Sequence, residues 1–486
     1  MYKIAYKKIA HPIFTTPIIL TAFISLNVLL APLSSQASPS KNLTDHLSAT
    51  NVILFIGDGM DEHQITMARN YLYSPKGLFA MEQMPVRSSV KVQTLREDNP
   101  KQFRHIADSA NSATTLATGV LTSKGRIATA ALTNHALPTI LEDAQRAGYR
   151  TGIVTTASLT DATPAAFASH SPHRDCESPE EMKARHPFIP PTQQCTHNQK
   201  KRGGQGSIVE QLINANVDVL LGGGRKYFKQ SVGKSSFIEQ AQHKGYALLQ
   251  TQTDIQGTPE HSKLLGLFSK KHLPIQWIGE NYRRAKKIKT DADGHPIYPQ
   301  PFTCTPNTRF KNTPTLSQMT DKALQTLSHN NTKGFFLVVE GALIDKQAHK
   351  RNPCGQIGEL RAFDESISTG REFASKFPNT LVIVTADHGQ AGQIVPLPES
   401  YELVSNAVTA PQYPTGYYAV LKTLSGELMA ISYATNSSPK GMWEMHTGTN
   451  VPAFMEGPEL KNVPVTIDQR YINNLMRQHL KLGTIQ

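Results

Sequence analysis

Five short runs in this chain, residues 52–56, 153–155, 217–221, 335–339 and 381–384, lack the polar-apolar alternation of a half-exposed strand. Runs of this kind suit strands buried beneath helices on both sides, as in a parallel sheet. Helical patterns separate them. Leu137, Ile140, Leu141, Ala144 and Ala147 recur at helical spacing before Gly148, which suits a C-cap. Ile208, Val209, Leu212 and Ile213 lead into the run at 217 in the same way, and Leu316, Met319, Ala323 and Leu327 into the run at 335. Alternating helix and strand predicts an α/β fold with a central, mainly parallel sheet flanked by helices.

Three of the runs pass straight into acidic residues: the first into Gly57-Asp58-Gly59, the fourth into Glu340-Gly341, and the fifth into Thr385-Ala386-Asp387-His388. The carboxyl ends of the strands border the ligand crevice of an open parallel sheet, so these carboxylates should converge there. Anions gathered without partners repel one another by several kcal/mol per close pair, which bound cations relieve. Asp345 and His349 stand four apart, on one helical face, and His446 lies in Glu444-Met445-His446-Thr447-Gly448. Any one of the 18 histidines has an ordinary explanation as a surface or satisfied core residue, and an acid after a strand is often a helix cap. Three acids at three strand ends with histidines beside them point instead to a metal site. Asp and His ligands, rather than thiolates, suit catalytic zinc with open positions.

The small-residue stretch from Asp108 through Ser109, Ala110 and Asn111 to Gly119 can start a tightly packed helix. A serine at a helix N-terminus has backbone N–H groups and the positive dipole end aimed at an incoming phosphate. Taken alone, the same residues are better explained as helix caps.

Six motifs, in order, resemble those of the alkaline phosphatases: Asp58-Gly59-Met60; the 108–119 stretch; Thr160-Asp161-Ala162-Thr163-Pro164; residues 339–347 around Glu340 and Asp345; Thr385-Ala386-Asp387-His388; and His446-Thr447-Gly448. The resemblance spans roughly residues 50–486. It implies one large domain around a sheet of about ten strands, usually a homodimer, with two zinc ions and one magnesium per chain. It implies a phosphomonoesterase that forms a phosphoserine on Ser109, with Arg174 clamping phosphate through its planar fork. Carried over by position, Asp345, His349 and His446 hold the first zinc; Asp58, Asp387 and His388 the second; Asp58, Thr163 and Glu340 the magnesium. Asp161 and Lys346 resemble the pair found near the third metal in many bacterial members, where others have histidines. The resemblance also pairs Cys176 with Cys195 and Cys304 with Cys354. Three departures stand out: Asp61 where a glycine is usual, which adds charge near the second zinc, Asn111 at a commonly small position, and Gly389-Gln390 in place of a small residue and a histidine.

Lys3, Lys7 and Lys8 precede a mostly apolar run over 13–33 and then Ser35-Gln36-Ala37, the pattern of a signal peptide cleaved after Ala37. Residues 1–37 are therefore assigned to a leader and 38–486 to the catalytic domain, with surface insertions around 171–206 and 226–312, the latter including the Pro-rich 285–312. A secreted or periplasmic chain with four cysteines is expected to form two disulfides. The formal net charge of +12 attracts anions generally. Its dense cluster, Lys200-Lys201-Arg202, lacks interleaved aromatics, so no specific nucleic-acid partner is expected, and no membrane attachment after leader removal. The competing functions are a superfamily phosphodiesterase or sulfatase-like hydrolase, and a non-catalytic secreted anion-binding protein.

Overall fold

The ten strands of the central sheet are β1 (Thr50–Gly57), β2 (Val86–Lys91), β3 (Arg150–Ser158), β4 (Val219–Gly223), β5 (Tyr246–Leu249), β6 (Lys263–Leu267), β7 (Gly334–Gly341), β8 (Thr380–Ala386), β9 (Val451–Glu456) and β10 (Thr466–Asp468). They lie in the order β10-β2-β9-β8-β1-β7-β3-β4-β6-β5. The computed structural model describes residues 49–183, 185–292, 296–397, 416–433 and 441–483. The expected leader, 1–37, lies outside the described residues.

Position in the sheet explains the sequence of β1. It pairs in parallel with β7 on one edge and β8 on the other, and every residue after Thr50 is buried. A strand covered on both faces has no use for alternation, and each fully buried Val, Ile, Leu or Phe contributes about 1.5–3 kcal/mol. Only β9 runs antiparallel, against β8 and β2, so the sheet is mainly parallel as the alternation predicts. Within 226–312, β5 and β6 pair in parallel at one edge of the sheet. These strands, within the second expected insertion, therefore extend the central sheet. Gly334 opens β7 with φ +108° and lies so near Thr50 that a Cβ would sit 1.9 Å from the Thr50 carbonyl oxygen, so only glycine serves there.

The helices that position the site are α1 (Glu62–Tyr73), α2 (Ser109–Thr118), α3 (Ala162–Ala168), α4 (Leu316–Ser328), α5 (Leu343–His349), α6 (Pro353–Lys376) and α7 (Gln469–His479). Thr315 and Gln318 form a capping box at the start of α4, and Leu316, Met319, Ala323 and Leu327 are its buried stripe. Helix α7 braces the site from behind: Asn473 Nδ2 donates to the Leu116 carbonyl of α2 and Gln469 Nε2 to the Asp387 carbonyl, both at 2.8 Å. Disulfides join Cys176 to Cys195 and Cys304 to Cys354, the pairing the resemblance implies. No helix among the described residues is long and apolar enough to cross a membrane.

Glu359 of α6 is buried with one partner of note, the Gln276 N–H at 2.7 Å, and burial pushes its pKa up to about 8. An acid whose pKa rises on folding holds its proton more tightly when folded. The stability it contributes is complete below the usual carboxylate pKa and is lost as pH climbs toward about 8. Glu359→Gln keeps the acceptor and removes the titration. Between about pH 6 and pH 9 the variant is expected to lose less thermal stability than the wild type, by on the order of a few kcal/mol. Parallel stability curves in scanning calorimetry would reject this account.

Candidate metal and phosphate site

The parallel register of β1, β7 and β8 brings three carboxylates to one end of the sheet. Asp58 follows β1, Glu340 is paired with Ile56 near the end of β7, and Asp387 follows β8. Two groups of potential ligands form there: Asp58, Asp387 and His388 in one, and Asp345, His349 and His446 in the other, with the donor atoms of each group within 4.8 Å of one another. The two are adjacent, since the His388 and His446 rings stack with centroids 3.6 Å apart.

The donor atoms suit cations. All three histidines turn Nδ1 to a backbone carbonyl: His349 to Glu444, His388 to Gly389 at 3.2 Å and His446 to Ala107 at 3.0 Å. That places the ring proton on Nδ1 and the lone pair on Nε2, the arrangement that orients metal-binding histidines. The Nε2 atoms of His349 and His446 consequently face each other at 3.2 Å, with Asp345 Oδ2 also 3.2 Å from His349 Nε2. Lone pairs directed at one another repel unless a cation lies among them. Asp387 shows the same pattern. Its Oδ1 accepts N–H bonds from Gly59 at 3.0 Å and His388 at 2.9 Å, whereas buried Oδ2 makes no hydrogen bond and faces His388 Nε2 at 3.2 Å.

Charge tells the same story. Burial, then the neighbouring Asp387, raises the Asp58 pKa well above the carboxylate range, and burial lifts Asp387 to about 6. Burial and the His446 ring hold His388 well below its usual value. Burial is the largest influence on Asp345 and raises it, but the neighbouring rings of His349, His446 and His388 together outweigh it and take Asp345 well below the usual range. The protein alone leaves the negative charge of the Asp58 group poorly compensated, which fits a site built for bound cations.

Glu340 forms a third locus. Burial and Asp161 push its pKa to about 7. Thr155, its partner in the β3–β7 register, donates a hydroxyl hydrogen bond to it. Thr163, second residue of α3, has a buried hydroxyl close enough to lower the Glu340 pKa yet without a hydrogen bond of good geometry. The oxygen donors here suit magnesium. Asp161 binds Lys346 Nζ at 2.8 Å and Arg174 at 3.0 Å, and these cations overcome its burial and keep it ionised.

Ser109 is the first residue of α2, so its backbone N–H and that of Ala110 are among those a helix leaves without internal partners. Its Oγ lies 3.3 Å from His388 Nε2 and 3.5 Å from Asp58 Oδ1. Arg174, part exposed, lies between Asp161 at 3.0 Å and Asp108 Oδ2 at 3.5 Å, next to the cap of the serine helix. Asp108 also receives Gly125 N–H at 3.1 Å and Asn111 N–H at 3.1 Å, so one carboxylate caps the serine helix and steadies the arginine.

The three departures acquire local explanations. Asn111 completes a capping box with Asp108 and donates to the Gln93 carbonyl at 3.1 Å. Asp61 is the N-cap of α1, taking His63 N–H at 2.8 Å, and its other oxygen takes the Gln390 N–H at 3.1 Å. A Cβ on Gly389 would lie 2.8 Å from Asp61 Oδ2 and 2.4 Å from Thr449. Thr447 Oγ1, at 2.6 Å, crowds the same place, so position 389 needs glycine and Asp61 is one of three groups that make it so. Gln390 donates to Asp345 Oδ1 at 2.6 Å, which orients that carboxylate. Residues missed by sequence reasoning include Thr155, whose only signal is its register, and His272. The latter lies in a loop without a motif, with Nδ1 3.7 Å from Asp161.

The family model described as alkaline phosphatase matches residues 49–482. The chain is 40% identical over 454 residues to alkaline phosphatase of Escherichia coli strain K12, covering 90% of this chain and 88% of that protein. It is 36% identical over 437 residues to streptomycin-6-phosphate phosphatase of Streptomyces griseus, covering 87% and 88%. Among solved structures, alkaline phosphatase from the Antarctic bacterium TAB5 is similar with a TM-score of 0.63 at 24% identity, covering 90% of this chain and all 100% of that one. The Thermus thermophilus enzyme gives 0.64 at 19%, covering 94% and 96%. These two likenesses bear on the fold, while the match over nearly the whole chain establishes descent: this chain belongs to the alkaline phosphatase family.

Proposed function

We propose that this phosphomonoesterase works through Ser109, with Arg174 as the phosphate clamp. The observation that carries the reading is the Ser109 hydroxyl at the head of α2, 3.3 Å from His388 Nε2, on a helix whose cap Asp108 also holds Arg174. Ser109 Oγ forms a bond to phosphorus while the bond to the alcohol oxygen breaks on the opposite side. Water then cleaves the Ser109 ester and restores the hydroxyl, giving phosphate and the alcohol. Arg174 offers paired N–H donors to two phosphate oxygens, and the α2 amides and dipole favour the same anion. Asp108 keeps the guanidinium beside the serine helix.

Asp345, His349 and His446 would hold one zinc, Asp58, Asp387 and His388 a second, and Asp58, Thr163 and Glu340 a magnesium. Bound there, such cations supply the positive charge that lowers the serine hydroxyl pKa and neutralises the attacking, leaving and equatorial oxygens. The Lys346–Asp161 pair beside Glu340 supports magnesium in the third place. The leader pattern at 1–37 supports export to the periplasm or medium, and the family supports a homodimer. Assay of p-nitrophenyl phosphate, its bis ester and the sulfate analogue tests the activity. The monoester is expected to be preferred over both by on the order of 10³-fold or more, and a preference for the diester or sulfate would overturn the reading.

A further inference from the structure

Large apolar side chains stand exposed beside His446: Trp443 (44%), Met445 (38%) and, across from them, Ile106 (38%). We propose that these residues form a subsite for the alcohol part of the substrate, selecting phosphate monoesters whose alcohol carries an apolar or aromatic body. The inference rests on the phosphomonoesterase reading and adds to it a substrate class.

The backbone beneath the subsite is pinned. Glu444, between Trp443 and Met445, is fully buried, binds Arg351, and its carbonyl receives the His349 ring. His446 is tied to the Ala107 carbonyl at 3.0 Å, which joins the strip carrying Trp443 and Met445 to the strip carrying Ile106. A Cβ on Gly448 would meet the His105 carbonyl oxygen at 2.8 Å and Ile106 Cγ1 at 3.7 Å, so the two strips are in close contact. The Trp443 indole N–H points to the Met445 sulfur at 3.1 Å, which sets the two side chains against each other. Exposed apolar groups on so fixed a frame form a prepared surface.

Displacement at phosphorus determines what that surface meets. In-line displacement sends the leaving oxygen away from Ser109, and on this proposal toward Asp345, His349 and His446, the ligand group adjacent to His388 that makes no hydrogen bond to Ser109 Oγ. An alcohol leaving in that direction reaches solvent past the neighbours of His446. Consecutive Cα atoms are about 3.8 Å apart, so the Trp443 Cα lies no more than about 11 Å from that of His446, close enough for its large side chain to border the same surface. A flat indole beside a thioether offers an apolar body a large contact area with little ordering of its own.

The test compares kcat/KM for 2-phenylethyl phosphate and ethyl phosphate, whose alcohols leave with similar intrinsic difficulty. The wild type is expected to favour the phenylethyl ester by about tenfold or more. Trp443→Ala with Met445→Ala is expected to bring the ratio close to one, through a larger fall for the phenylethyl ester, and Trp443→Phe to retain most of it. A wild-type ratio near one, or an equal fall for both esters, would overturn the proposal. So would an altered sedimentation coefficient with an unchanged ratio, which would mean that a second copy of the chain covers the patch. Hydrolysis of neither ester would overturn the parent reading and this one with it.

Discussion

Ser109→Ala is expected to lower turnover of p-nitrophenyl phosphate by at least about 10³-fold and to abolish the phosphoserine trapped by acid quench, while the protein retains its metals. The reason lies in what the substitution leaves intact. The α2 cap is formed by Asp108 and Asn111, not by the serine, and Arg174 is held by Asp108 and Asp161. The variant should therefore fold, bind phosphate and present the same charge, lacking only the oxygen that joins phosphorus. Rapid quench with labelled substrate, kcat and elemental analysis together check this. A labelled protein still forming in the variant would show that another residue is the nucleophile.

Asp58→Asn is expected to damage two metal positions at once, whereas His446→Ala should mainly injure one. Asp58 lies 3.5 Å from both Ser109 Oγ and His388 Nε2, and its ionisation is coupled to Asp387, Asp345, Lys346 and Glu340, which span both ligand groups and the Glu340 locus. His446 faces Asp345 and His349. Elemental analysis of dialysed protein should find about two zinc and one magnesium in the wild type, a loss of zinc and magnesium together in Asp58→Asn, and magnesium retained in His446→Ala. Exhaustive chelation should abolish wild-type activity and lower its thermal midpoint by on the order of several degrees, since the cations bind the folded chain alone. Full activity after chelation would contradict the assignment, as would loss of the same single metal in both variants.

Burial made much of this legible beforehand. The runs around Val52, Phe335 and Leu381 read as strands because a strand covered on both faces has no polar side, and the acids after them mark the strand ends that meet the ligand. Sheet order was not legible, because β1 finds its partners in β7 and β8, nearly 300 or more positions downstream, and pairing at such separation leaves no local trace. Edge strand β5 and its neighbour β6 fall within the expected insertion because they are short and lie among polar segments. In the site, the ligand groups followed from the motifs, but the crowding of Gly389 by Asp61, along with Thr447 and Thr449, did not. It depends on a close approach between residues 328 apart in sequence, whose necessity appears only once a side chain and a missing Cβ share the same space.

The brace from α7 bears on how the chain is made. The bond from Asn473 to Leu116 spans 357 positions and that from Gln469 to the Asp387 carbonyl spans 82, so the serine helix gains its last support from a segment synthesised after everything it supports. Contacts so distant close late, because a long loop must be ordered before they can form. A nascent chain emerging from the ribosome can carry the serine, the arginine and every acid of the first strands, yet its catalytic geometry waits for residues still to be translated. A phosphomonoesterase built this way is silent through most of its own synthesis, and becomes active only where the finished chain is free to fold.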